Sequence, residues 1–168
     1  MIDFSGLLDF AYENRLYDSV AHGLEHWHQV EYNGLLLSPV TGADVEVVRL
    51  FSIFHDCKRM DDGYDPEHGS RGAAFARWCL ENKLLELEKD RFEKLFHACS
   101  MHTHERKSGD PTIDTCYDAD RLDLGRVGFP LDPEKMATEF GKKLARKSLA
   151  EKVSVFCMRE WLRKVRIP

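Results

Sequence analysis

The chain has 168 residues, of which 43% are hydrophobic and 32% charged, with a formal net charge of -5. That is enough chain to bury one substantial core, and the balance excludes an intrinsically disordered polymer. No run of about 18 apolar residues occurs, so no membrane span is expected, and the start Met1-Ile2-Asp3-Phe4-Ser5 lacks the basic cluster and apolar stretch of a signal peptide.

In chain order the apolar residues recur at helical spacing. Phe4, Leu7, Leu8, Ala11 and Tyr12 mark a first helix, and Leu24 to Leu37 a second, which Ser38-Pro39 is expected to close because proline disfavours helix in the residue before it. Asp44 to Lys58 forms a third, apolar on several sides (Val45, Val47, Val48, Leu50, Phe51, Ile53, Phe54), as a central buried helix must be. The turn-rich Asp61 to Pro66 follows, then helices from about Glu67 to Asn82, Glu88 to His102 and Thr112 to Leu124. Asp132-Pro133 opens the last helical region as N-cap and first-turn proline. Lys147 to Val165 reads as an amphipathic helix with Leu149, Val153, Phe156, Cys157, Trp161 and Leu162 on its apolar side. No segment alternates with period two between turn signals. The expected fold is all-α, one domain over 1–168.

The five cysteines include no C-x-x-C pair, which argues against a disulfide framework or a zinc ribbon and for a reducing cytoplasm. The segment Gly141 to Pro168 carries nine basic residues against Glu151 and Glu160, leaving the rest of the chain acidic. Such a tail suits nucleic acid or phosphate, but it lacks the interleaved glycines and aromatics of a nucleic-acid module. The expectation is a solvated terminal helix lying on an acidic body.

The eight histidines are the unusual feature. His22, His26 and His28 stand at the start of the second helix, and His55 precedes Asp56 at the end of the central one. His68 opens the fourth, and His97, His102 and His104 cluster at the end of the fifth. Any one alone reads best as an ordinary surface or core histidine. Together, imidazoles and carboxylates at the ends of several helices are what encloses a divalent first-row ion. His55-Asp56 also ends a helix too hydrophobic to carry ionised groups unless they are paired or bound to metal.

The order His26, His55-Asp56, Asp120 resembles the H…HD…D signature of the HD superfamily of metal-dependent phosphohydrolases. His26-Trp27-His28-Gln29-Val30 is similar to that family's H-x-x-x-V, and Ala119-Asp120-Arg121-Leu122 to its A-D-(K/R)-L. Pro66 to Ala73 is similar to its H-x-x-x-G-A segment. The resemblance covers about residues 20 to 128. It implies an HD-type helical bundle with His26, His55, Asp56 and Asp120 as metal ligands, and His68 and His102 as further ligands where two metals are held. One or two divalent ions are implied (Mn, Fe, Co, Ni, Zn or Mg). In one respect the chain departs from the pattern: where members that cleave nucleoside monophosphates have a glutamate three residues past the doublet's aspartate, this chain has Arg59.

The implied activity is hydrolysis of a small phosphate ester, such as a nucleotide. Asp56 bridges or ligates the metals, and Lys58, Arg59 and Arg121 are candidates to neutralise phosphoryl charge or, alternatively, to pair with Asp61, Asp62 and Asp123. His22, on the same face as His26, either orients a ligand or touches substrate, or else has a capping or surface role, and Asp118 is an alternative to Asp120. The rival readings are a non-catalytic HD module that binds a nucleotide or partner protein around a structural metal, and a nucleic-acid contact through the basic tail. A small phosphorylated substrate is the expected partner, rather than nucleic acid or a membrane.

Overall fold

The computed structural model describes residues 2–166; Met1, Ile167 and Pro168, the ends of the expected domain, lie outside the described residues. Every regular element among the described residues is helical: α1 Phe4–Glu13, α2 Leu24–Thr41, α3 Val45–Phe54, α4 His68–Glu81, α5 Lys89–Met101, α6 Pro111–Arg121, α7 Glu139–Ala150 and α8 Met158–Leu162. Three short 3₁₀ turns cover Leu124–Val127, Pro133–Lys135 and Val155–Cys157.

α3 is the axis. Val47, Val48, Leu50, Phe51 and Phe54 are fully buried, and α1, α2, α4, α5 and α6 all pack against it. Its start is fixed by Asp44, whose carboxylate accepts from the amides of Glu46 and Val47 at 3.0 and 3.2 Å, satisfying donors that have no partner within the helix. α6 begins in the same way: Asp110 accepts from Thr112 and Ile113 and Pro111 holds the first position. α2 and α6 lie side by side, joined where buried Asn33 donates to the Ala119 carbonyl at 2.8 Å. α4 approaches α3 and α5 closely because glycine stands at the crossings. A Cβ on Gly72 would lie 2.2 Å from the Phe54 carbonyl oxygen, and one on Gly69 would lie 2.3 Å from that of Cys99.

Two expected boundaries differ. α2 does not close at Ser38-Pro39 but runs to Thr41 and ends at Gly42, with φ 74°. Leu36, Leu37 and Ser38 are buried, so packing holds the turn that proline's local bias would release. The expected helix from Lys147 to Val165 is broken at Lys152, which takes φ 53°. The amide of Val153 turns back to the Ser148 carbonyl at 2.9 Å, closing α7 as a left-handed helix stop does. The expected apolar side is divided accordingly. Leu162 is buried with Met158, whereas Leu149, Phe156 and Cys157 are exposed.

Part of the basic tail is paired from within. Arg159 pairs with Asp123, Arg163 donates to Gln29, and Lys142 and Lys147 pair with Glu139 and Glu151. The other four cysteines, Cys57, Cys79, Cys99 and Cys116, are buried and unpaired.

Candidate metal centre

The site lies where α2 begins, α3 and α5 end, α4 begins and α6 ends. These five termini bring His26, His55, Asp56, His68, His102 and Asp120 together, and all but Asp120, which is part-exposed, are buried. The imidazoles face each other in pairs. His26 Nε2 lies 3.1 Å from His55 Nε2, and His68 Nε2 lies 2.9 Å from His102 Nε2. Asp56 stands between the pairs. Its Oδ2 is 3.5 and 3.6 Å from His26 and His55 Nε2, and its Oδ1 is 3.1 and 3.9 Å from His68 and His102 Nε2. Asp120 Oδ1 is 3.3 Å from His26 Nε2.

The other nitrogen of each ring decides what Nε2 can do. His55 Nδ1 is 3.1 and 3.2 Å from the carbonyls of Phe51 and Ser52. His102 Nδ1 is 2.8 Å from the Cys99 carbonyl, and His68 Nδ1 bonds the Asp65 carbonyl. His26 Nδ1 is 2.8 Å from Asp123 Oδ2. A carbonyl or carboxylate only accepts, so each Nδ1 carries hydrogen and each neutral ring presents a bare Nε2 lone pair to the centre. Two such lone pairs face to face at 2.9–3.1 Å repel unless a positive charge lies between them.

The titration pattern makes the same demand. Burial opposes charge on His26, but hydrogen bonds to Asp120, Asp123 and Asp56 outweigh it and raise its pKa to about 10. Burial drives its partner His55 down to about 3. In the second pair, burial is outweighed at His68, which Asp56 raises, while burial lowers His102. In each pair one ring is thus favoured over the other to carry a proton. Both carboxylates are held ionised despite burial, Asp56 by His55 and its neighbouring imidazoles and Asp120 chiefly by His26. Groups His26–His55–Asp120 and Asp56–His68–His102 each have donor atoms within 4.8 Å of one another. Imidazole nitrogens with carboxylate oxygens, and hydrogen-bonded Nδ1 atoms behind them, fit divalent first-row ions.

Among solved structures, the crystal structure of a predicted HD superfamily hydrolase from an uncultured Thermotogales bacterium matches with a TM-score of 0.66 at 23% identity, covering 95% of this chain and 91% of that one. The chain shares the helical fold of that structure. A scan against protein-family models and a search of curated proteins each find no match. On this fold the resembling residues His26, His55, Asp56 and Asp120 fall at one point.

The expected cations separate. Arg59 is buried at the centre: Nη1 lies 3.7 Å from Asp56 Oδ1 and against the His68 ring, while Nε and Nη2 donate to the carbonyls of Asp61 and Gly63. Lys58 and Arg121 are not brought to the site. The Lys58 ammonium binds the Asn14 carbonyl and lies over the Phe75 ring. Lys58 lies in the turn after α3 and departs toward the end of α1. Arg121 ties together the carbonyls of Glu105, Arg106 and Lys135 at 2.7–2.8 Å.

Asp118 is structural. It accepts from the amides of Ala137 and Thr138 and from the Thr138 hydroxyl, and so docks the start of α7. His97 pairs with Glu105, His28 is exposed, and His104 bonds the Pro66 carbonyl near His68.

Three residues escaped the sequence reading. Asp123, buried, holds His26 and is itself gripped by Arg159 through two bonds of 2.7 and 2.8 Å. Arg126 Nη2 lies 3.0 Å from His22 Nδ1, which is 2.9 Å from Asp56 Oδ2. The available signals were the spacing of Asp123 one helical turn after Asp120 and the unexplained basic tail.

Proposed function

We propose that this chain is a metal-dependent phosphohydrolase that cleaves a small phosphate ester, with two divalent ions held by His26, His55, Asp56, Asp120, His68 and His102. The observation that carries the reading is the pairing of four Nε2 lone pairs around Asp56, each with its Nδ1 already committed. The HD fold and the H…HD…D order support the hydrolytic class.

Bound there, divalent ions supply Lewis acidity, acidify water and polarise the phosphoryl group. The chain's own residues do the rest. Asp56 offers one oxygen to each histidine pair, which suits a carboxylate shared by two ions. Arg59 stands beside Asp56 with its guanidinium fixed by carbonyls, so its charge is in place against a phosphoryl oxygen with no reorganisation. His22 is the part-exposed imidazole next to Asp56, and it holds or passes a proton at the edge of the cluster.

The test is hydrolysis of phosphomonoesters, cyclic nucleotides and nucleoside triphosphates by the chelator-treated chain, before and after addition of Mn²⁺, Zn²⁺ or Mg²⁺. Release of phosphate or of a phosphorylated product only with added ion is expected. Ion binding without turnover of any phosphate ester would instead favour the non-catalytic HD module.

A further inference from the structure

Two cavities open against the histidine centre. One, about 370 Å³, has an apolar side that includes Val20, Val155, Phe156 and Met158, with His26, Arg126 and Arg159 and the carboxylates of Glu25, Asp62 and Asp123 also on its walls. The other, about 310 Å³, lies against His68 and Arg59, and its remaining walls (Gly63, Asp65, Thr103, His104) are mostly polar apart from Tyr64 and Pro66. We propose that the first cavity seats a planar aromatic ring carried by the phosphate ester, with Phe156 as its stacking face. This rests on the phosphohydrolase reading above.

Phe156 is 82% exposed and Val20 94% exposed. A lone exposed apolar residue needs no explanation. These two rim the same cavity, and His26 is on its wall. The volume lies in the range of small-ligand sites.

The segment that presents Phe156 is anchored on its C-terminal side. Arg159 clamps Asp123, and the neighbouring Met158 and Leu162 are buried in the core. A ring entering there meets a wall that is already in place, so little ordering cost is left to binding. A ring is favoured over an alkyl chain because two guanidinium groups, Arg126 and Arg159, stand on the wall, paired with the carboxylates of Asp123 and Glu25. Guanidinium planes and a phenyl face both attract a π surface.

Calorimetry of the Mn²⁺-loaded full chain with 1-naphthyl phosphate and with methyl phosphate tests this. The aromatic ester should bind more tightly by about tenfold, the size of one ring-stacking contact. In Phe156→Ala that ratio should fall to about one, while Phe156→Tyr and Tyr64→Ala should keep it. Phe156 is exposed, so its substitution does not endanger the fold. A ratio near one in the wild type, a ratio that survives Phe156→Ala, or one lost in Tyr64→Ala overturns the assignment. Turnover of the two esters is read separately. Preferential binding with no hydrolysis would remove the phosphohydrolase reading and leave the ring site standing.

Discussion

The two histidine pairs look alike at the centre but are held differently behind it. His68 and His102 anchor Nδ1 on carbonyls three residues earlier in the chain, Asp65 and Cys99. His55 does the same with Phe51 and Ser52. These contacts come with the local helical turn. His26 instead leans on Asp123, 97 residues away, and Asp123 is gripped by Arg159 from the basic C-terminal segment. One pair is therefore set by secondary structure, and half of the other depends on a tertiary clamp. A disturbance of the C-terminal segment should reach His26 and spare His68 and His102.

The largest effect should come from the residue both pairs share. Asp56→Ala removes the carboxylate between them, and should abolish ion binding and turnover while far-ultraviolet circular dichroism remains helical. Full activity with unchanged metal content would show that Asp56 is not a ligand. Next, His68→Ala and His102→Ala should each lower the stoichiometry from two ions to one, with the His26 half still loaded; a single equivalent in wild type and both variants would leave a mononuclear site.

The clamp is tested by Arg159→Ala. Loss of a group that orients a ligand costs about 10- to 100-fold in metal affinity. That loss should fall on the ion beside His26, with Arg159→Lys losing less because a single ammonium cannot make the forked contact. Equal weakening of both ions would dissolve the contrast between the pairs.

A smaller effect separates protons from metal. In the ion-free chain the folded state holds a proton on His26 up to about pH 10, against 6.5 for an unperturbed histidine. This contribution to stability is complete below 6.5 and is lost as pH rises through about 10, because only the unfolded chain releases the proton in that window. The melting temperature in chelator should therefore decline across that range, and less so with ions bound, since the ion takes the proton's place. A flat profile in chelator would count against a proton on His26.

Much of this was legible in the sequence, for reasons that differ by residue. α3 declared itself by being apolar on several sides, and Asp132 declared its cap, because those signals are local. His26, His55-Asp56 and Asp120 were readable as an ordered motif. Asp123, Arg126 and Arg159 were not, since their roles arise from contacts made across the fold. The break at Lys152 was hidden by an apolar pattern that continued through it. Lys58 and Arg121 were misdirected by adjacency: a sequence neighbour of a site residue points elsewhere, and both side chains serve backbone carbonyls instead.

We propose that the paired imidazoles enclose two divalent ions. Titration of the chelator-treated chain with Mn²⁺ or Zn²⁺, followed by calorimetry and by elemental analysis after desalting, tests it most directly. Two equivalents are expected, with a melting temperature that rises with free ion as binding to the folded state requires. A chain that retains no ion, and whose melting temperature ignores added metal, would contradict the account.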